Sequence, residues 1–169
     1  RRQWLLGAGA AALVAASPGL ARGAGADPWD EARAIVRGIQ RPRIGRRKVR
    51  LKPPENSDIR GPILAAIERL GTRGGTIILP PGDWSSAGPI HLKSRIRLHL
   101  PKGTHLKFSR DPAHYLPLVF TRWEGTECWN YSPLLYARDC TDIAITGAGT
   151  IDGQGFEGFF RWRAQQQES

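Results

Sequence analysis

The chain has 169 residues, the size of a single domain, and carries 25 Lys and Arg against 15 Asp and Glu, a net charge of +10 at pH 7. Two cysteines, Cys128 and Cys140, exclude a disulfide framework or a cysteine-based metal cage, although an exported protein can either pair them or leave them free. The basic charge suits an acidic partner such as a polyuronate, a nucleic acid or an anionic membrane, but by itself it is more typical of an ordinary soluble basic protein with Lys and Arg on outward strand positions.

The first residues have the features of an export signal. Arg1 and Arg2, followed by an aromatic residue and two leucines, resemble a twin-arginine motif, and an uncharged Ala- and Gly-rich run comes next. Ala24 and Ala26 supply the small-x-small pattern of a cleavage site. A membrane anchor would need about 18 or more strongly apolar residues. We therefore predict that residues 1–26 are a removed signal peptide, recognised by the twin-arginine export machinery, and that the protein is periplasmic or extracellular.

Residues 27–56 are predicted to form a helix followed by a basic linker. Asp27 can cap the helix and Pro28 suits its first position, and the helical pattern continues to about Gln40. The residues of its apolar face are Trp29, Ala32, Val36 and Ile39. The basic segment 41–48 has no aromatic residues for base stacking. We interpret it as a solvated connector and expect no nucleic acid as a partner.

A second helix is predicted over residues 58–70, with Ser57 or Asp58 as its cap and Pro62 in its first turn. Its apolar stripe consists of Ile63, Leu64, Ile67 and Leu70. Glycines end the helix, and the apolar run 76–79 is predicted to be a buried first strand. Because an exposed sheet end invites edge pairing, we expect this helix to cap the open end of a stack of sheets.

The clearest strand signal lies between Gly88 and Phe108, where apolar and polar residues alternate with a period of two. This pattern places one face inward and the other in water. The strands are short, because Ser94 and Pro101-Lys102-Gly103 interrupt them. Short strands with sharp corners fit either a β-sandwich or a coiled parallel sheet. The apolar positions are Ile90, Leu92, Ile96, Leu98, Leu100, Leu106 and Phe108.

From residue 111 to residue 134 the strand pattern lapses, and aromatic and charged residues accumulate. A long loop of this composition commonly forms a binding surface, and packing of its aromatic residues over the core fits equally well. The strand pattern returns over 142–155, where glycine corners suit either a hairpin or a coil. Asp139 and Asp142 have the positions of turn residues at the entry to these strands.

A set of segments carries a family resemblance through its order and spacing. They are GPIHLKS at 88–94, Leu-His-Leu at 98–100 with Lys-Gly-Thr at 102–104, FTRWEG at 120–125, Glu-Cys at 127–128, NYSPLLYA at 130–137 and DIAITGAGTIDGQG at 142–155. Together they resemble the early coils of glycoside hydrolase family 28, the polygalacturonase-like pectin hydrolases. One departure is the segment 52–58, which stands where that family commonly has a Gly-Ala-x-Gly-Asp-Gly loop.

The resemblance implies an all-β, right-handed parallel β-helix, with residues 57–169 forming the capping helix and the first coils. It implies hydrolysis of α-1,4-galacturonosyl linkages with inversion, which requires one carboxylic acid and one more distant carboxylate that activates water. The family's catalytic motifs do not occur in this chain. We therefore assign no catalytic residue, expect the catalytic coils beyond Ser169, and expect neither a cofactor nor a metal.

The resemblance also suggests a binding role for the aromatic loop. We expect Arg122, Trp123, Glu124 and Tyr131 to contribute to a saccharide-binding side, with the Arg pairing with a uronate carboxylate and an aromatic ring facing a sugar. The partner would be an acidic polysaccharide, pectin or an oligogalacturonide. The chain contains no Met, and we expect it to be the amino-terminal part of a longer protein and inactive by itself.

Two alternatives stay open. The first is another β-helix enzyme, either a pectate lyase or a rhamnogalacturonan-active relative. Lyases of this shape often use calcium held by aspartates, whereas the acids here are scattered. The second is a non-catalytic module that binds a polyanion, for which the basic charge is the support.

Overall fold

The computed structural model describes residues 27–156 and Gly158. The chain separates into two compact units, one ending at Gln40 and one beginning at Arg41. The predicted signal peptide, with Arg1, Arg2, Ala24 and Ala26, lies outside the described residues. Within the described part of the chain, no helix is long and apolar enough to span a bilayer.

In the first unit, helix α1 (Pro28–Gly38) forms as predicted. The carboxylate of Asp27 accepts a hydrogen bond from the Trp29 backbone N–H at 3.1 Å, which satisfies one of the free donors at the helix start. Asp30 pairs with Arg33 at 2.6 Å on the exposed surface of the helix. None of the residues of α1 is buried, so its apolar face is open to solvent.

The second unit contains one α-helix within its described residues, α2 (Arg60–Leu70), and is otherwise mostly strands. In chain order the strands are β1 (Lys48–Arg50), β2 (Gly75–Ile78), β3 (Gly82–Ser86), β4 (Ile90–His91), β5 (Ile96–Leu100), β6 (Thr104–Phe108), β7 (Val119–Trp123), β8 (Thr126–Asn130), β9 (Leu135–Tyr136), β10 (Ala144–Gly147) and β11 (Thr150–Asp152).

Most of these strands belong to three parallel sheets, with the orders β1-β2-β5-β10, β3-β6-β11 and β4-β9. From β2 onward, strands of these three sheets that follow one another in sequence lie in different sheets. The chain adds one strand to each of the three sheets in turn, first β2, β3 and β4 and then β5, β6 and β9. Strands β10 and β11 then extend the first and second sheets again. The segment 142–155 therefore pairs in parallel with the preceding strands and does not form a hairpin.

The inward residues of the first sheet stack at one register. Val49 pairs with Ile77, Ile77 with Leu98, and Leu98 with Ile145. Ile77 and Leu98 are completely buried, as the alternating pattern predicts. All seven alternating apolar positions between residues 90 and 108 belong to the buried core. The core of the second unit is thus built from inward residues of consecutive strands.

Helix α2 packs on this core through the stripe predicted from the sequence. Ile63, Ile67 and Leu70 are buried, and the helix contacts β2 and β4. The helix begins at Arg60 and not at residue 58, and its N-cap position is held by Ile59, so the predicted cap by Ser57 or Asp58 is wrong. The Asp58 carboxylate instead accepts a hydrogen bond from the Arg60 backbone N–H at 3.0 Å. At its end Gly71 has a φ of +52°, a left-handed conformation that favours glycine and stops the helix.

The structure corrects two further predictions from the sequence. The first strand is β1, not the run 76–79, because Val49 is buried and β1 extends the first sheet beyond β2. The connector before it keeps its arginines exposed, but its backbone is docked, with the Arg43 N–H donating to the Asp142 carboxylate at 2.7 Å. Second, the segment 111–134 is not an irregular loop, because it contains a 3₁₀ turn at Pro112–Tyr115 and the antiparallel hairpin β7–β8.

Gly147 offers a test of the corner between β10 and β11. Its φ is +109°, and a Cβ added there would collide with the carbonyl oxygen of Leu100. We expect Gly147→Ala to lower the free energy of unfolding by about 1–3 kcal/mol, measured by urea denaturation. The matched control is Gly61→Ala, where a Cβ would meet nothing within 4 Å inside a helix. Equal stability of the two variants would contradict the tight corner.

Candidate functional site

The hairpin β7–β8 projects from the parallel sheets between β6 and β9. Its strands pair in antiparallel register from Val119 opposite Asn130 to Trp123 opposite Thr126. The two-residue turn consists of Glu124, with a φ of +46°, and Gly125, with a φ of +89°. Two positive φ values in a two-residue turn match the right-handed twist of the flanking strands. This places the Arg-Trp-Glu-Gly segment at an exposed tip.

The register assigns the hairpin side chains to two faces, because opposite residues share a face and successive residues alternate. Phe120 and Arg122 share one face with their partners Trp129 and Glu127. We call these four residues the Arg122 face. Trp123 lies on the other face, although it follows Arg122 directly in the sequence.

Aromatic and cationic groups cluster on the Arg122 face. The rings of Phe120 and Trp129 meet edge to face at a centroid distance of 5.9 Å, and 66% of the Trp129 surface is exposed. The Arg138 guanidinium lies over the Phe120 ring, 4.4 Å from its centroid. Arg138 also contacts the Asp139 carboxylate at 3.6 Å. The cluster therefore presents a large aromatic surface beside positive charge.

Arg122 is available for a ligand. Its Nε–H donates to the Gly125 carbonyl at 3.1 Å, which orients the guanidinium along the turn. Glu127 is its cross-strand neighbour, but among the described residues no carboxylate lies within 4.0 Å of the Arg122 guanidinium. An exposed guanidinium held by one hydrogen bond retains its other donors for a carboxylate or a hydroxyl group.

A series of contacts anchors the base of the hairpin. The Tyr136 hydroxyl donates to the Phe120 carbonyl at 2.8 Å, and the Tyr136 ring contacts the His91 ring at a centroid distance of 4.9 Å. His91 Nε2 in turn lies 2.9 Å from the Ser132 hydroxyl. Strand β9 thus links the hairpin to β4, one of the parallel strands of the core.

Tyr115 continues this anchoring into the interior. Its carbonyl accepts a hydrogen bond from the Ser132 N–H at 3.0 Å, and its hydroxyl donates to the Ser109 carbonyl at 2.6 Å. The side chain is completely buried. Burial raises the pKa of the Tyr115 phenol to about 12, because the phenolate would lose its hydration.

A surface depression of about 210 Å³ lies beside these contacts. Its lining includes Arg60, Pro89, His91, Leu116, Pro117 and Ser132. Burial lowers the pKa of His91, and the positive charge of Arg60 lowers it further. At neutral pH His91 is therefore predominantly an uncharged hydrogen-bonding group.

The described residues offer neither a metal site nor a disulfide bond. Across residues 27–156 no group of three or more His, Cys, Asp or Glu side chains is arranged to hold a metal ion. Cys128 and Cys140 are free thiols, which resolves the alternative left open by the sequence. The Cys140 thiol points toward the Arg138 carbonyl at 3.1 Å.

The structure separates the residues that the sequence grouped together. Arg122 and Glu124 lie at the hairpin tip, Trp123 lies on the opposite face from Arg122, and Tyr131 follows the end of β8, 39% exposed. Sequence reasoning missed the aromatic partner of Arg122, which is Trp129. The signal was present, because Phe-x-Arg and Glu-x-Trp flank a Glu-Gly turn with a period of two. Arg138 could not have been found this way, since it belongs to neither strand.

The strand-rich architecture with stacked parallel sheets is similar to that of known glycoside hydrolases. The crystal structure of a hyperthermoactive exopolygalacturonase from Thermotoga maritima matches with a TM-score of 0.71 and 39% sequence identity, over 82% of this chain. The predicted resemblance to polygalacturonase-like hydrolases is thereby confirmed. A proposed glycosyl hydrolase from Parabacteroides merdae matches with a TM-score of 0.55 over 72% of the chain, and at 20% identity it supports the fold alone.

The extent of these matches is partial. The chain spans 32% of the length of the Thermotoga maritima structure and 51% of that from Parabacteroides merdae. No family model matches the chain. No curated protein matches it in sequence.

Tyr115 allows a test of the anchoring beneath the hairpin. Because its folded pKa is raised from 10.0 to about 12, its contribution to stability is present below pH 10 and is lost as the pH rises toward 12. We expect the free energy of unfolding to fall over this range. Tyr115→Phe should be less stable at neutral pH by about 1 kcal/mol and should lose part of this alkaline decline. Urea denaturation at several pH values measures both effects, and an identical pH profile for the variant would contradict the assignment.

Proposed function

We propose that this chain belongs to an exported, pectin-degrading glycoside hydrolase of family 28. The observation that carries the proposal is the 39% identity to an exopolygalacturonase over 82% of the chain. The repeated passage through three parallel sheets supports a right-handed parallel β-helix with α2 as its cap. Arg1, Arg2, Ala24 and Ala26 support export through the twin-arginine machinery.

The proposed reaction is inverting hydrolysis of α-1,4-galacturonosyl linkages. One carboxylic acid protonates the leaving oxygen, and a carboxylate about 6.5–9.5 Å from it activates the attacking water. We assign neither role to a residue of this chain. The activity is proposed for the whole protein, and the described residues contribute the scaffold and a binding surface.

We propose that the Arg122 face forms part of the saccharide-binding surface. A galacturonosyl unit carries a carboxylate and an apolar sugar face. A surface that binds it therefore needs a cation and an aromatic ring that are close enough together to contact the same sugar unit. Arg122 supplies unpaired donors and Trp129 an exposed ring. Glu124 and Glu127 can accept hydrogen bonds from sugar hydroxyls, and Tyr131 extends the aromatic surface past the end of β8.

The activity is tested with the full-length protein from the exported fraction. We expect it to release reducing ends from polygalacturonate in the presence of a chelator. Proton NMR during the reaction should show a first product with the anomeric configuration opposite to that of the linkage. Mass spectrometry should find Asp27 at the mature amino terminus.

The same assay separates the alternatives. An unsaturated product whose formation stops with chelation identifies a lyase. Cleavage of rhamnogalacturonan without cleavage of polygalacturonate identifies the other enzymatic relative. Polyanion binding without any product identifies a binding module, and each of these outcomes would overturn the proposal.

The register of the hairpin yields a paired test of the binding surface. We expect Arg122→Ala and Trp129→Ala each to raise KM for oligogalacturonate by about tenfold, because each removes a contact that the sugar makes on the Arg122 face. Trp123→Ala, on the opposite face and 59% exposed, is the matched control and should change KM by less than about twofold. A larger effect of Trp123→Ala than of Arg122→Ala would move the binding surface to the other face of the hairpin.

A further inference from the structure

The surface depression next to His91 has a mixed lining that the proposed hairpin surface does not use. The polar lining residues are Arg60, His91 and the buried Ser132, and the apolar ones are Leu64, Pro89, Leu116 and Pro117. Its volume of about 210 Å³ is below the ~300–1,000 Å³ of typical ligand pockets. It can therefore hold a single small group, such as one monosaccharide, and not a longer stretch of polymer.

Arg60 brings an uncompensated positive charge to this depression. Its Nε–H donates to the Pro89 carbonyl at 2.8 Å, which fixes the guanidinium in place. The nearby Asp58 carboxylate accepts hydrogen bonds from the backbone N–H groups of Arg60 at 3.0 Å and Ala87 at 3.4 Å. Among the described residues no carboxylate forms an ion pair with the Arg60 guanidinium. Its terminal N–H groups are thus available to an anion.

Hydrogen bonds hold the His91 ring beside Arg60. His91 Nε2 lies 2.9 Å from the Ser132 hydroxyl, a contact that either tautomer of the neutral ring can make. The same hydroxyl lies 3.1 Å from the Pro133 carbonyl. Protonation of the neutral ring creates a second cation beside Arg60.

We propose that this depression binds one uronate residue, with its carboxylate on Arg60 and an apolar face of its ring against Leu116 and Pro117. A planar guanidinium suits a carboxylate because it can donate two parallel hydrogen bonds. The choice of a uronate over other carboxylates rests on the proposed function, in which galacturonosyl units form the substrate. The lining of the depression contains none of the four residues of the Arg122 face, and it would hold a second part of the polysaccharide or a released product.

The affinity of the depression for a carboxylate should depend on pH. The groups that face His91 are Arg60 from α2 and the Tyr136 ring from β9, with the Ser132 hydroxyl on Nε2. Burial and then Arg60 lower the pKa of His91, and a bound carboxylate would offset the charge of Arg60. Binding would therefore raise the pKa of His91 and take up protons. The affinity must then increase as the pH falls through that pKa.

The test uses the full-length protein with labelled histidines, and the His91 signal is assigned by its loss in His91→Gln. We expect free galacturonate to shift the His91 NMR signals, with an affinity that increases as the pH is lowered from about 7.5 to about 5. Galactose, which lacks the carboxylate, should produce no shift. Acetate, which lacks the ring, should bind at least about tenfold more weakly. An equal response to galactose or to acetate would overturn the proposal, as would no response to galacturonate.

A pair of substitutions on one helix tests the role of Arg60. We expect Arg60→Gln to weaken galacturonate binding by about tenfold or more, since a charge-assisted hydrogen bond is lost. Arg69→Gln removes the same charge from an exposed position about 13 Å further along α2, and it should change the affinity by less than about twofold. Thermal denaturation verifies that both variants fold. If Arg60→Gln does not fold, the wild-type response to the three ligands decides.

These outcomes are independent of the hydrolase assay. Pectin hydrolysis without a His91 response would overturn the uronate site and leave the proposed function standing. An Arg60-dependent response to galacturonate in a protein that does not cleave polygalacturonate would overturn the proposed function and leave the site standing.

Discussion

Stacking of aliphatic side chains at one register across parallel strands is the interaction on which the second unit depends. Ile77 lies between Val49 and Leu98, and Leu98 lies between Ile77 and Ile145. Ile77 and Leu98, which have an aliphatic neighbour on each side, are completely buried, and burial of apolar area contributes about 25 cal/mol per Å². Ile145, on the edge strand β10, is 48% exposed although its own strand alternates like the others. Val49, on the other edge strand, is buried, so a strand neighbour on one side only does not by itself leave an inward residue exposed.

The same architecture explains how a functional surface can be added without disturbing the core. The hairpin β7–β8 is inserted between β6 and β9, at a point where the chain passes from one sheet to the next. The entropy of closing a longer connection rises slowly with its length, so an insertion of this kind costs little. Its base is held by Tyr136 and Tyr115, whereas its tip carries exposed charged and aromatic side chains. Rigid support and an exposed tip are what a binding surface requires.

Tyr136 connects the hairpin that carries the Arg122 face with the surface depression next to His91. Its hydroxyl contacts the hairpin backbone and its ring contacts His91, which lines the depression that contains Arg60. Both places combine a guanidinium without an ion-pair partner among the described residues with apolar or aromatic surface. An acidic sugar has the complementary combination of one carboxylate and an apolar ring face. The basic charge of the whole chain would attract such a polymer before any specific contact forms.

Local chemistry was sufficient to predict several elements. The Asp27 cap of α1, the apolar spacing of α2, the alternation in β5 and β6 and the turn positions of Asp139 and Asp142 all depend on neighbours in sequence. Asp139 and Asp142 have φ values of +52° and +58°. Strand β1 was missed because it has only three residues and lies in a basic segment, which is too short to show an alternation of apolar and polar residues. The hairpin was missed because exposed aromatic and charged residues occur on both of its faces. Its sequence therefore lacks the alternation of apolar and polar residues that marks a half-buried strand.

The sequence by itself determined where most helices and strands lie and which of their residues face inward, because propensity, capping and periodicity act over a few residues. Only the tertiary structure decided which strands are neighbours and that the segment 142–155 pairs in parallel with earlier strands. It alone brought Arg60, His91 and Ser132 to one depression. These features depend on hydrogen bonds and contacts between residues about 30 to 100 positions apart, on which local periodicity carries no information.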